Sequence, residues 1–130
     1  MSARTEQELL DATIGLATHC GWAVHHDRPA RRSGSRWHTA IQGHAGFPDL
    51  VLARGGVVLF RELKGYDVRG RIGRLSSEQR DWARQLECEH DEAYRGDPYG
   101  RRKLLFDVWT PDDWDLIVAT LTAKPLRRSA

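Results

Sequence analysis

Asp49, Glu62 and Lys64 are two acids and a lysine set within sixteen residues of one another. The chain between the acids is two apolar, β-rich runs divided by Gly55-Gly56. A Gly-Gly pair in that setting predicts a two-residue hairpin, because both turn residues can take positive φ. With the turn there, Arg54 pairs with Val57, and counting outward sets Asp49 opposite Glu62. Opposed side chains share a face, with Cβ atoms about 4.5–5.5 Å apart. Lys64, two residues on from Glu62, points the same way. Facing carboxylates repel unless something positive sits between them. A divalent cation held by oxygen ligands, waters and a substrate phosphate fills that role. A lysine beside such a pair can orient a water and offset charge on the phosphate. The stretch therefore points to metal-assisted hydrolysis. The plainer alternative is two exposed strand-end acids with a solvated lysine.

Several elements must hold these groups. Residues 5–20 read as a helix, with Thr5 as N-cap and Glu8 three residues on closing a capping box. Leu9, Leu10, Thr13, Ile14, Leu16, Ala17 and Cys20 line one face, and Gly21 ends it. Glu8 has two readings: a capping-box member, or a third carboxylate reaching toward the hairpin's acids. Residues 22–26 read as a short strand, where His26 or His25 could contact a phosphate or assist a proton transfer. Residues 27–45 read as one long loop rich in Gly, Ser and Arg. Its arginines, Arg31, Arg32 and Arg36 among them, interleave with Trp37 and His38, a mixture suited to phosphate contact and base stacking.

Past Lys64, residues 65–75 are glycine-rich and basic, with Arg69, Arg71 and Arg74, and too irregular for a strand. Ser76 then opens a second helix, with Gln79 closing its capping box. Gln79, Trp82, Ala83, Leu86, His90 and Ala93 share a face, so Gln79 is polar on the apolar side of the first turn. It either closes the box or holds a water or a scissile phosphate near the acids. Residues 94–102 are turn-rich. Residues 104–109 read as a strand, and Thr110-Pro111-Asp112-Asp113 as the start of a last helix, its acids answering the helix dipole. The order is helix, three strands, helix, strand, helix: an α/β domain whose mixed sheet is covered by helices.

Composition bounds the rest. The chain of 130 residues is 40% hydrophobic and 29% charged, which suits one globular domain with a core spanning about residues 5–122. No apolar run reaches the ~20 residues of a membrane span. The start lacks a secretory pattern, and Cys20 and Cys88 have no metal-type spacing, so reduced thiols in a cytoplasmic protein are expected. The net charge of +2 is uninformative, whereas the clustering of arginines, including Arg101 and Arg102, points to phosphate contact.

The motifs Gly-Phe-Pro-Asp-Leu (46–50), Glu-Leu-Lys (62–64), Leu-Ser-Ser-Glu-Gln (75–79) and Val-Trp-Thr-Pro-Asp-Asp-Trp (108–114) together resemble the VRR-NUC branch of the PD-(D/E)xK nucleases. The match is to the small stand-alone type of phages and bacteria, related to Holliday-junction resolvases, and runs from about Glu8 to Leu121. The resemblance implies a restriction-endonuclease-like αβββαβ core with a mixed four-stranded sheet. It implies Mg²⁺- or Mn²⁺-dependent cleavage of DNA phosphodiesters; selectivity for branched or junction structures rather than sequence, and a homodimer or higher homo-oligomer, are the accompanying expectations, with flap, nick or general duplex cleavage as the rival within the class. Asp49 matches the metal-binding aspartate, Glu62 the second metal carboxylate, Lys64 the catalytic lysine and Gln79 the helix glutamine. Leu63 would add its backbone carbonyl to the metal. Glu8 stands where a first-helix acid is common, and His26 where similar sequences carry a strand-end histidine. The segment 65–74 is longer and more basic than in compact relatives, and 91–102 is inserted where a short turn is usual. The rival expectations are a catalytically silent DNA-binding or assembly module of the same fold, and cleavage of RNA.

Overall fold

The computed structural model describes residues 4–27, 30–31, 37–38, 42–86 and 100–124. The first helix, α1 (Glu6–His19), begins with the expected box: Thr5 Oγ1 accepts the Glu8 N–H at 3.1 Å, and the Glu8 carboxylate accepts the Thr5 N–H at 3.1 Å. Leu9, Leu10, Thr13 and Ala17 are its buried stripe. Strand β1 follows at Ala23–His25, shorter than the expected 22–26. Trp22 stays out of it, its backbone N–H spent on the Ala17 carbonyl at 2.9 Å, while its buried ring sends the indole N–H to the Leu121 carbonyl at 2.9 Å.

The span 27–45 is not all loop. Its β2 (Ala30–Arg31) pairs antiparallel with β3 (Trp37–His38), a small ladder of its own. Arg31 therefore sits in a strand, while Arg32 and Arg36 lie outside the described residues.

The central hairpin has the expected register. Strands β4 (Leu50–Arg54) and β5 (Val57–Leu63) pair from Arg54↔Val57 to Leu50↔Arg61. Gly55 and Gly56, at φ 58° and 85°, form the turn between them, and two successive positive φ values are the signature of a primed hairpin turn. Strand β1 flanks β4 antiparallel. After helix α2 (Ser77–Leu86), the chain returns as β6 (Phe106–Trp109), parallel to β5. The sheet order is β1-β4-β5-β6. A single 3₁₀ turn at Pro111–Asp113 then leads into α3 (Trp114–Thr122). The protein is thus an α/β structure with a mixed four-stranded sheet and flanking helices. No described helix is long and apolar enough to cross a membrane.

Period-two alternation gives β5 two unlike faces. Leu59 and Leu63 join Leu50 and Leu52 in the core under Leu9, Ala17, Ile117 and Leu121. Arg61 lies on that same face and is fully buried. Its guanidinium sits 4.9 Å from the Trp109 ring centroid, donates to the Phe60 and Leu105 carbonyls, and pairs by register with Asp107 on β6. Burial pulls its pKa down to about 10, with Asp107 opposing the drop. The other face carries Phe60 and Glu62. There Phe47 makes edge-on contacts with Phe60 at 6.0 Å and Trp82 of α2 at 5.1 Å, which sets α2 against the strand ends.

Arg54, beside the hairpin turn, closes the opposite end. It donates to the Cys20 carbonyl at 3.0 Å and the Leu121 carbonyl at 3.2 Å, bonds Ala123 as well, and stacks 4.5 Å from the Trp22 ring centroid. One cation therefore satisfies the carboxyl ends of two helices, where carbonyls lack partners and the dipole is negative. Arg54→Ala should lower unfolding stability by about 2–3 kcal/mol in urea denaturation. Arg54→Lys should recover only part, because one ammonium cannot span three acceptors; an Arg54→Ala loss within ~0.5 kcal/mol would contradict the clamp.

Candidate metal centre

The acids meet at the end of the β4–β5 hairpin. Asp49 lies one residue beyond the β4 ladder, and the carboxylates of Glu6, Asp49 and Glu62 each offer an oxygen within 4.8 Å of the others. The third acid is Glu6 and not Glu8, whose carboxylate is exposed and spent on the Thr5 N–H. Once Thr5 and Glu8 close the box, Glu6 is the other acid of the first turn, two residues around the helix.

Backbone donors fix both hairpin acids. Asp49 Oδ2 accepts the Leu63 N–H at 2.8 Å, and Glu62 Oε2 accepts the Asp49 N–H at 3.3 Å. Each carboxylate is thus tied to the other's strand. His26 Nδ1 lies 2.9 Å from the Asp49 carbonyl. A carbonyl only accepts, so Nδ1 carries the proton there, and His26 braces the backbone of Asp49.

Gln79 closes its capping box and also reaches the acids. Its Oε1 accepts the Ser76 N–H at 2.8 Å and Ser76 Oγ accepts the Gln79 N–H at 3.1 Å, so the box is closed. Its Nε2 donates to Glu62 Oε1 at 2.8 Å, and its Oε1 also accepts from Lys64 Nζ at 3.0 Å. Lys64 Nζ is 3.6 Å from Glu62 Oε1. The amide therefore spaces the lysine from the carboxylate and orients both.

The electrostatics are unbalanced. Glu62 is only 2% exposed. Burial first, and the neighbouring Asp49 next, raise its pKa from 4.5 to about 8, with Lys64 opposing. Partial desolvation and then Asp49 raise that of Glu6 too. Three acids against one lysine crowd negative charge around Glu62, the buried member of a set in which Asp49 is half-buried and Glu6 exposed. The donor set is hard oxygen, and the oxygens keep lone pairs beyond the hydrogen bonds named, since a carboxylate offers about four. Such a set suits a hard divalent cation and not a soft ion.

The arginines divide. Arg69, Arg71 and Arg74 are exposed on the segment that leaves Lys64. Arg71 is paired with Asp67 at 3.2 Å, and Asp67 also accepts the N–H groups of Arg69 and Arg71. Arg101 instead bonds Asp107 and Asp113, at 3.1 and 2.9 Å, so this member of its cluster is a structural tie. A cleft of about 790 Å³ lies between Gly43–Ala45 and α2, with Trp82 in its wall and none of Glu6, Asp49 or Glu62 in its lining.

No known protein family, characterised protein or solved structure matches this chain.

A carboxyl whose pKa is raised on folding favours the fold below its unfolded value and loses that contribution as the pH passes its folded value. For Glu62 the window runs from 4.5 to about 8. Metal-free protein should therefore lose thermal stability across that window. Glu62→Gln should flatten the decline and raise Tm at pH 8 by at least about 4 °C. Added Mn²⁺ should raise the Tm of the native chain at pH 8 and not that of Glu62→Gln. A native Tm independent of pH over this range would refute the burial argument.

Proposed function

We propose that the chain is a Mg²⁺- or Mn²⁺-dependent deoxyribonuclease of the VRR-NUC type, hydrolysing phosphodiester bonds in branched or junction DNA. The observation that carries this reading is the convergence of the Glu6, Asp49 and Glu62 oxygens within 4.8 Å, with Lys64 3.6 Å from Glu62. The order of α1, β1, β4, β5, α2 and β6 also follows the αβββαβ sequence that the motif resemblance implies.

Glu6, Asp49 and Glu62 would hold the ion, with the Leu63 carbonyl as a further oxygen. A bound ion supplies charge against the phosphate oxygens and acidifies water. Lys64, its ammonium anchored on Gln79, orients the attacking water and offsets charge that develops on the phosphate. Gln79 keeps Lys64 and Glu62 at a fixed separation, and His26 keeps the Asp49 backbone in place. The water oxygen attacks phosphorus, one bridging P–O bond breaks, and the leaving oxygen takes up a proton. Arg69, Arg71 and Arg74 meet backbone phosphates flanking that position, which gives affinity without reading sequence. Two such sites in a symmetric homodimer would make paired cuts across a junction.

Asp49→Ala and Glu62→Ala should each lower Mg²⁺-dependent cleavage of four-way, flap or duplex DNA at least about a hundredfold while far-UV circular dichroism is unchanged. Lys64→Ala should cost a similar factor. Arg69→Ala and Arg74→Ala should each reduce the salt slope of binding by about one, on every sequence tested. Salt-dependent DNA binding with no cleavage of any substrate would instead identify a silent binding module, and cleavage confined to RNA would change the substrate class.

A further inference from the structure

Two glycines bring two helix starts against the acids. At Gly46 a Cβ would lie 2.5 Å from the Glu78 carbonyl carbon and 2.7 Å from the Gln79 nitrogen, at the first turn of α2. At Gly65 it would lie 2.0 Å from the Glu6 nitrogen and 2.4 Å from the Thr5 carbonyl carbon, at the first turn of α1. Gly65 directly follows Lys64, so it joins the lysine to the helix that supplies the third acid.

The segment around Gly65 is tied down on both sides. Lys64 N–H donates to the Trp109 carbonyl at 3.0 Å, Tyr66 N–H to the Arg4 carbonyl at 2.8 Å, and Gly73 N–H to the Gly65 carbonyl at 3.0 Å. The Arg4 guanidinium stacks 4.8 Å from the Tyr66 ring centroid, and the Tyr66 hydroxyl bonds Asp112. Residues 64–73 thus strap the start of α1 to the end of β5. We propose that Gly65 is the positioning residue for Glu6: its missing side chain lets the first turn of α1 lie against β5, and only then does the Glu6 carboxylate reach Asp49 and Glu62. The inference rests on the metal-centre reading above and adds to it the device that completes the ligand set.

The physical case is that neither side can yield cheaply. The atoms a Cβ would meet are backbone, and real Cβ contacts essentially never fall below 3.0 Å. A methyl group must therefore push the start of α1 away by about the 1 Å that separates 2.0 from 3.0 Å. Mg²⁺ demands ligands at about 2.0–2.1 Å in near-ideal geometry, so such a shift removes Glu6 from the set while leaving Asp49 and Glu62 on their hairpin. Gly15, on the same helix, has open space where its Cβ would be and serves as the control.

The test is calorimetric titration of the full chain with Mn²⁺ alone, with circular dichroism to verify the fold. Gly65→Ala and Glu6→Gln should each weaken Mn²⁺ binding about 10-fold, and the double variant should bind no more weakly than either single one. Gly15→Ala should bind as the native chain does. Native affinity in Gly65→Ala, or losses that multiply in the double variant, would overturn the proposal. Should Gly65→Ala not fold, Tyr66→Ala loosens the same strap without adding volume. It should weaken Mn²⁺ binding with no further loss on adding Glu6→Gln, and native affinity there overturns the proposal equally. If Glu6→Gln is silent while Asp49→Ala and Glu62→Ala abolish binding, the metal reading stands and this inference fails. If all these variants bind Mn²⁺ as the native chain does, the metal reading itself has failed.

Discussion

A carboxylate that is nearly sealed from water, and faces a second carboxylate, is a costly thing for a fold to build. Glu62 is such a group, and much of the surrounding structure is arranged to hold it there. The Asp49 N–H, the Gln79 amide and the Lys64 ammonium all converge on it. Each comes from a different place: the lead-in to β4, the first turn of α2, and the end of β5. Removing any one leaves the charge less compensated, so the three elements are bound to one another through a single unfavourable burial. Natural proteins concentrate such local violations where they act on ligands.

The same strand carries a second buried charge on its other face. Arg61 points into the core beside Trp109 and Asp107, one residue from Glu62. The opposite signs lie on opposite sides of the sheet, each with its own partners. Asp107, its register neighbour, bonds Arg101, which also bonds Asp113 and so ties β6 to the start of α3. Strand β5 therefore works as a partition, with apolar packing and Arg61 below it and the acid-rich site above.

How far the sequence discloses this depends on how local the determining chemistry is. The Gly55-Gly56 turn sets the hairpin register because turn type and side-chain period leave one solution, and that register brings Asp49 to Glu62. The helix starts at Thr5, Ser76 and Thr110 are legible because each is a short-range contest for backbone donors. Gln79 could be read only as a choice between cap and site, since one amide can serve both and only its surroundings show it. Glu6 escapes a linear reading because its role depends on how α1 docks, set by a close approach sixty residues away. Arg61 escapes because alternation predicts burial of apolar groups, and its partners Trp109 and Asp107 come from a strand added after a helical crossover. The β2–β3 ladder escapes because two-residue strands carry no period.

The Arg54 clamp has a temporal side. Its acceptors at the end of α3 are the Leu121 and Ala123 carbonyls, while the arginine sits in the β4–β5 hairpin, 67 and 69 positions earlier. The Trp22 indole waits on the same Leu121 carbonyl across 99 positions. During synthesis the hairpin and α1 are made long before either acceptor exists. Closure of the sheet's far end therefore waits for α3, and a nascent chain that has not yet made it holds Arg54 by the Cys20 carbonyl and the Trp22 ring alone.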